Sequence, residues 1–270
     1  MKEFFREMKK LIEKYNSLAL HNIIDYEQFN FISMSHHSTK IEGSTLTLIE
    51  SQVLINEGLT PKGKPIEDSL MVKDHFKALL FVIQEAQKNR NLSVELIQET
   101  NAEVLRSTGR IYNTVLGTVD SSKGKFRKGN VTAGESYFPN FDKVEMLTKE
   151  LIFKLEERIK KVSETDMEEQ LNISFDAHFG LVSIHPFYDG NGRTSRLLMN
   201  FIQSHFRLPL GIVFSEDKAE YIKALVETRK NDDIGIFREF MSSQYKKHLE
   251  AEISKYDNAF KKGKGFNFLF

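Results

Sequence analysis

At 270 residues the chain is long enough for one large domain or two small ones, and its 40% hydrophobic and 28% charged residues are ordinary for a globular protein. Its 38 basic residues balance 38 acidic ones, so neither nucleic acid nor a membrane surface is an expected partner. The absence of cysteine excludes disulfides, thiolate metal sites and cysteine nucleophiles. Without an apolar leader or a run of bilayer length, a cytoplasmic protein is expected.

In chain order, helical periodicity dominates. Leu11, Ile12, Tyr15, Leu18 and Leu20 roughly follow one stripe, and a second helix is predicted from about Asp25 to Ile41. Thr47-Leu48-Ile49-Glu50 is a capping-box pattern that opens a helix reaching Glu57. Leu70 to Gln87 and Ser93 to Arg106 read as amphipathic helices. From Gly117 to Asn140 glycines, serines and lysines break the pattern. Two β-prone pieces there, Asn130-Val131-Thr132 and Tyr137-Phe138, flank a turn at Ala133-Gly134-Glu135-Ser136, which predicts a small surface hairpin. A helix follows over Val144 to Val162. After a charged loop, Leu171, Phe175, His178 and Val182 mark the buried face of a central helix that Pro186 should stop near His185. Leu197, Leu198, Phe201 and Ile202 begin another helix. The expected fold is therefore an all-α bundle with one β-hairpin, a single domain over 1–270. Within it, residues 1–60 supply N-terminal helices, 90–245 the core, and 250–270 a tail whose Phe-rich end could dock on this molecule or a neighbour.

The stretch His185-Pro186-Phe187-Tyr188-Asp189-Gly190-Asn191-Gly192-Arg193-Thr194-Ser195-Arg196 carries the chemistry. Free amide groups at a helix start, with glycines that let a ligand approach the backbone, form an anion site. Arg193 and Arg196 are cations in a first helical turn, where the macrodipole disfavours each by roughly 0.3–1 kcal/mol. That placement makes sense if a polyphosphate sits there, because bidentate guanidinium contacts outweigh the cost. Asp189 suits a Mg²⁺ shared with phosphate oxygens. His185, with a reference pKa near 6.5, suits a base that takes a hydroxyl proton. His178 reads as a packing residue, and Phe187 as the apolar anchor of the loop.

This stretch resembles the signature of Fic-domain proteins, His-x-Phe-x-(Asp/Glu)-Gly-Asn-Gly-Arg-x-x-Arg, and matches it at every fixed position. Tyr221-Ile222-Lys223-Ala224-Leu225 is similar to the family's Tyr-x-x-Ala-Leu element, and the predicted hairpin to its target-docking flap. The resemblance implies a Fic-type helical bundle that transfers AMP from ATP to a Ser, Thr or Tyr hydroxyl of a protein target, with Mg²⁺ as cofactor. It implies His185 as base and Asp189 as metal ligand. Gly190, Asn191, Gly192, Arg193 and Arg196 would hold the phosphates, and Asn200 and Tyr221 would border the nucleoside. Thr132, Ala133, Gly134 and Tyr137 of the flap would receive the target as an added strand. A lysine at the Gly192 position marks the family's phosphate-transferring branch, so its absence favours nucleotidyl transfer. Relatives often form homodimers.

Ser38-Thr39-Lys40-Ile41-Glu42-Gly43 resembles the family's inhibitory motif, (Ser/Thr)-x-x-x-Glu-(Gly/Asn). Gly43 is a natural helix stop, so Glu42 is an anion at a helix C-terminus, a second wrong-signed charge. Pairing Glu42 with Arg196 would relieve both residues and deny the γ-phosphate its partner. Ser38, one turn earlier, is expected to hydrogen-bond the Glu42 carboxylate. The expected function is thus a self-restrained adenylyltransferase able to modify itself. Two alternatives stand beside it: a hydrolase in which Glu42 orients water to remove AMP, and a nucleotide-sensing interaction module without turnover.

Overall fold

The structure, a computed structural model, describes residues 2–20, 25–133 and 136–261. Five helices lead: α1 (Lys2–Ser17), α2 (Tyr26–Ile41), α3 (Leu48–Glu57), α4 (Ile66–Gln87) and α5 (Val94–Val104). Four short strands follow, β1 (Ile111–Thr114), β2 (Gly117–Asp120), β3 (Thr132–Ala133) and β4 (Ser136–Tyr137). Helices α6 (Val144–Lys161), α7 (Met167–Ile184), α8 (Asn191–His205), α9 (Lys218–Asn231) and α10 (Ile234–Lys261) complete the fold. The all-α expectation holds.

Helix starts follow their caps. Glu50 donates its N–H to Thr47 Oγ1 at 3.2 Å while Thr47 donates its own to Glu50 Oε2 at 2.7 Å, the full capping box ahead of α3. Ser93 Oγ caps α5 and the Asp166 carboxylate caps α7.

Two apolar cores meet along α7 and α8. Leu79, Leu96, Leu181, Phe187, Leu197 and Phe201 belong to one, which joins these two helices to α4, α5 and α6. Leu171, Phe175, Met199, Tyr221, Phe237 and Tyr245 belong to the other, joining them to α1, α9 and α10. Each fully buried side chain of this size stabilises the fold by roughly 1.5–3 kcal/mol. The loop between α7 and α8 is therefore held rigidly from both sides.

The non-helical stretch holds two hairpins where one was expected. In the first, β1 pairs antiparallel with β2, Ile111 opposite Asp120. The second is the predicted one, with Thr132 opposite Tyr137 and Ala133 opposite Ser136. Gly134 and the Phe-rich end of the tail beyond Lys261 lie outside the described residues. None of the described helices is long and apolar enough to cross a membrane.

Candidate active site

Pro186 cannot continue α7, and His185 closes that helix in a left-handed conformation at φ 52°, its N–H bonded to the Leu181 carbonyl at 3.0 Å. Phe187 is fully buried against Phe126, as its apolar character in a polar loop predicts. The Asn191 side chain holds both polar groups of the Phe187 backbone, accepting from its N–H and donating to its carbonyl, each at 2.9 Å. The Asn191 side chain thus closes the loop, which leaves its backbone N–H for an anion. Gly190 has φ 76°, and a Cβ there would lie 2.8 Å from Asn101 Nδ2. Asn101, on α5, donates to the Asp189 carbonyl and to Thr194 Oγ1, both at 3.1 Å. Helix α8 then starts without a side-chain cap, so its first-turn amides are free to receive an anion.

Both signature arginines are buried, at 2% and 3% exposure. Arg193 donates Nη2 to Asp189 Oδ1 at 3.0 Å, while its Nε and Nη1 are sealed from solvent without a partner. Arg196 donates Nε to Ser38 Oγ at 2.8 Å and Nη2 to both the Ser38 carbonyl at 2.9 Å and Glu42 Oε1 at 2.6 Å. Its Nη1 has no partner. Ser38 thus differs from expectation: it supports the guanidinium and not the carboxylate, because Arg196 reaches past it to Glu42. Three buried guanidinium nitrogens without acceptors are costly, and phosphate oxygens would satisfy them.

Glu42 is the C-cap of α2, and Gly43 at φ 111° turns the chain away. Burial works against its charge, but Arg196 and Arg193 outweigh burial and hold the carboxyl below its usual range. Glu42 in turn raises the Arg196 pKa against burial. A Cβ on Gly192 would collide with Glu42 Oε1, so only glycine admits the carboxylate this close to α8. The Glu42 side chain is 32% exposed, and its Oε2 makes no hydrogen bond among the described residues.

Burial lowers the His185 pKa to about 4; the Val182 carbonyl at 3.4 Å opposes this and the Arg127 charge reinforces it. The imidazole is neutral at physiological pH, as a base must be. With Nδ1–H directed at Val182, the lone pair lies on Nε2. Phe138, directly after β4, stacks on this ring with centroids 3.9 Å apart and planes at 18°. Buried Arg127 donates Nε to the His185 carbonyl at 2.8 Å and also bonds the Gly129 and Pro139 carbonyls, tying the base of the flap to the loop. On the flap itself Thr132 is exposed and Tyr137 is 84% exposed.

Asp189 Oδ1 accepts from Arg193 and from the Gly190 N–H, its Oδ2 has no partner among the described residues, and its side chain is 50% exposed. One accessible carboxylate beside a phosphate site fits Mg²⁺, which completes its shell with phosphate oxygens and water. Tyr221 is buried beneath Arg196, whose Cζ lies 6.0 Å from its ring centre, and its hydroxyl is bonded to His178 Nε2 at 2.9 Å. Asn200 donates to the Gly211 carbonyl at 3.0 Å and to Gln203 Oε1 at 3.2 Å. The Tyr221 hydroxyl and the Asn200 side-chain nitrogen are therefore engaged within the protein.

The structure gathers Ser38, Glu42, His185, Asp189, Gly192, Arg193 and Arg196 into one site. Sequence reasoning missed Asn101, Phe138 as a cover for the base, and the β1–β2 hairpin, whose Tyr112 stacks on Tyr188 at 4.4 Å. Tyr112 could have been suspected from an aromatic in a β-prone run. Asn101 left no signal, since its partners lie 88 and 93 residues away.

The site thus sets an uncapped helix start behind a His-x-Phe-x-Asp-Gly-Asn-Gly-Arg loop in a helical bundle. Residues 91–203 match the model of the Fic/DOC family, so the chain carries a Fic/DOC domain. It is 29% identical over 253 residues to a Caenorhabditis briggsae protein named protein adenylyltransferase fic-1, covering 93% of this chain and 45% of that one. A Drosophila melanogaster protein adenylyltransferase Fic is 29% identical over 219 residues, covering 81% and 41%. The chain thus spans less than half the length of these relatives. Among solved structures, a Fic domain containing signalling protein from Bacteroides thetaiotaomicron superposes with a TM-score of 0.77 at 24% identity, covering 93% of this chain and 97% of that one. Fic-1 of C. elegans gives 0.73 at 24% identity, covering 97% and 73%. These likenesses show the fold.

Proposed function

We propose that the chain transfers AMP from ATP to a hydroxyl of a protein target, itself included, and that Glu42 restrains it. The observation that carries this reading is the pair of buried arginines with unpartnered N–H groups beside a neutral, half-buried His185. His185 Nε2 takes the acceptor's proton, and the oxygen attacks the α-phosphorus. The bond from that phosphorus to the β-bridging oxygen breaks, and pyrophosphate leaves. The α8 amides, Arg193 and Arg196 hold the triphosphate. Mg²⁺ on Asp189 would supply positive charge to the same phosphates. Glu42 occupies Arg196, so ATP that enters meets a guanidinium already engaged.

Incubation with ATP labelled at the α-phosphate tests the reading. Weak labelling of protein is expected for the wild type, at least about tenfold more for Glu42→Gly given the worth of one charge-assisted contact, and none for Glu42→Gly combined with His185→Ala. No protein labelling by Glu42→Gly would reject transfer and favour a nucleotide-sensing module. Equal labelling with and without Glu42 would reject the restraint. The free Oε2 of Glu42 supports a second reading, in which it orients water to remove AMP. A pre-labelled target that loses AMP only when Glu42 is present would establish that.

A further inference from the structure

The β1–β2 hairpin takes no part in the grip on the phosphates, yet it sets a tyrosine against the signature loop. The half-buried Tyr112 ring lies on that of Tyr188, the residue before Asp189, with centroids 4.4 Å apart and planes at 11°. The hairpin is pinned at its base. Ser121 Oγ accepts from the Arg110 N–H at 2.8 Å and donates to the Arg110 carbonyl at 3.0 Å, and Val119 is buried in the body of the protein. Lys128 Nζ donates to the Leu116 carbonyl at 3.3 Å, which ties the hairpin turn to the segment ahead of the flap. Tyr112 is therefore held in place against the loop.

The Tyr112 hydroxyl forms no hydrogen bond among the described residues. Burial raises its pKa and the Asp189 carboxylate raises it further, so the phenol lies within the field of that carboxylate. Other hydroxyls of the site are occupied or turned away. Tyr188 accepts the Lys128 N–H at 3.2 Å, Tyr221 is bonded to His178 Nε2, and Ser38 accepts from Arg196. Thr194 is fully buried and accepts from Asn101. On the flap, Phe138 faces His185, so strand alternation turns its neighbour Tyr137 outward, where it is 84% exposed. Thr132 lies opposite Tyr137 and shares that outer face. Tyr112 by contrast offers a free phenol beside the carboxylate where the phosphates are expected.

We propose that Tyr112 is the residue the chain modifies on itself, within one molecule. The inference rests on the transfer reading above and names the acceptor that reading leaves open. The Tyr112 oxygen forms a bond to the α-phosphorus of ATP, and its proton passes to His185 Nε2. The bond from that phosphorus to the β-bridging oxygen breaks, so pyrophosphate leaves and AMP stays on the ring as a phosphodiester.

The test is to incubate the Glu42→Gly chain with ATP labelled at the α-phosphate, digest it with trypsin and fragment the labelled peptide in a mass spectrometer. The adduct should lie on Tyr112, in the peptide 111–123. Labelling per molecule should proceed at a rate independent of protein concentration, as an intramolecular step does. Tyr112→Phe in the same chain keeps the stacked ring and removes the hydroxyl. It should abolish that adduct while labelling of lysate proteins persists. A His185→Ala chain mixed with an excess of the Glu42→Gly, Tyr112→Phe chain should stay unlabelled at Tyr112. An adduct on another residue with Tyr112 bare overturns the inference, and so does a rate that rises with protein concentration or label on the His185→Ala chain. Loss of lysate labelling in Tyr112→Phe also overturns it, and would assign the phenol to the nucleotide. The mapping needs no change at Tyr112, so it decides the matter even where that variant does not fold. Labelled lysate proteins beside a bare chain would overturn this inference and leave the transfer reading standing, whereas no label on any protein would strike the transfer reading itself.

Discussion

His185 is a neutral ring at physiological pH, as the proposed role in proton transfer requires. Its proton is bound less well in the folded chain than in the unfolded one, so the neutral form persists as pH falls through 6.5 and is lost only near 4. Followed by NMR, the ring of the wild-type chain should titrate with a midpoint of about 4. In Phe138→Ser, which removes the stacked cover and admits water, the midpoint should move up toward the reference value near 6.5. An unchanged midpoint in that variant would assign the shift to Arg127 and burial beneath the ring. Arg196 shows the complementary case of a charge fixed by its neighbours. Its three bonds to Ser38 and Glu42 come from a helix 154 to 158 residues away in sequence.

At the scale of elements, the bend between α7 and α8 depends on α5. Asn101 holds the Asp189 carbonyl and the Thr194 hydroxyl at once, so Asn101→Ala should destabilise the protein by about 1–3 kcal/mol in urea unfolding. Labelling by the Glu42→Gly chain should fall with it, because the Asp189 backbone loosens. Intact labelling in Asn101→Ala would mean that the Asn191 clamp on Phe187 suffices. Helices α2 to α8 were legible because apolar stripes, the Thr47 box, Pro186 and the glycines at 43 and 190 act within a few residues, whereas no helix was read over α9 and α10. That the signature's side chains come together in one place was legible for the same reason, since they are crowded into twelve positions. Ser38's true partner, the occupation of Asn191, and the hairpin at 111–120 were not. The first depends on how far a guanidinium reaches across a helix interface. The second depends on loop closure, and the third on four-residue strands too short for alternation to register.

The whole molecule carries a second consequence of burial. His36, His37, His75, His178, His185 and His248 all have pKa values lowered in the folded state, with burial the largest cause in each. Each depressed value makes the unfolded chain the better proton acceptor below 6.5, so stability is present above that pH and lost as pH falls toward 4. Glu42 and Glu252, whose values are also lowered, act in the same direction. Thermal midpoints should be flat from pH 8 to about 7 and drop steeply below about 6. A midpoint that holds down to about 4.5 would show that these histidines accept protons without unfolding. The contact between Arg196 and α2 bears on how such proteins can diverge. If Glu42 restrains the site as proposed, one guanidinium serves both the resting arrangement and the working one, so it cannot be traded away to gain activity. Lineages that shed self-control are expected to carry the change at residue 42 and to keep residue 196 as it stands.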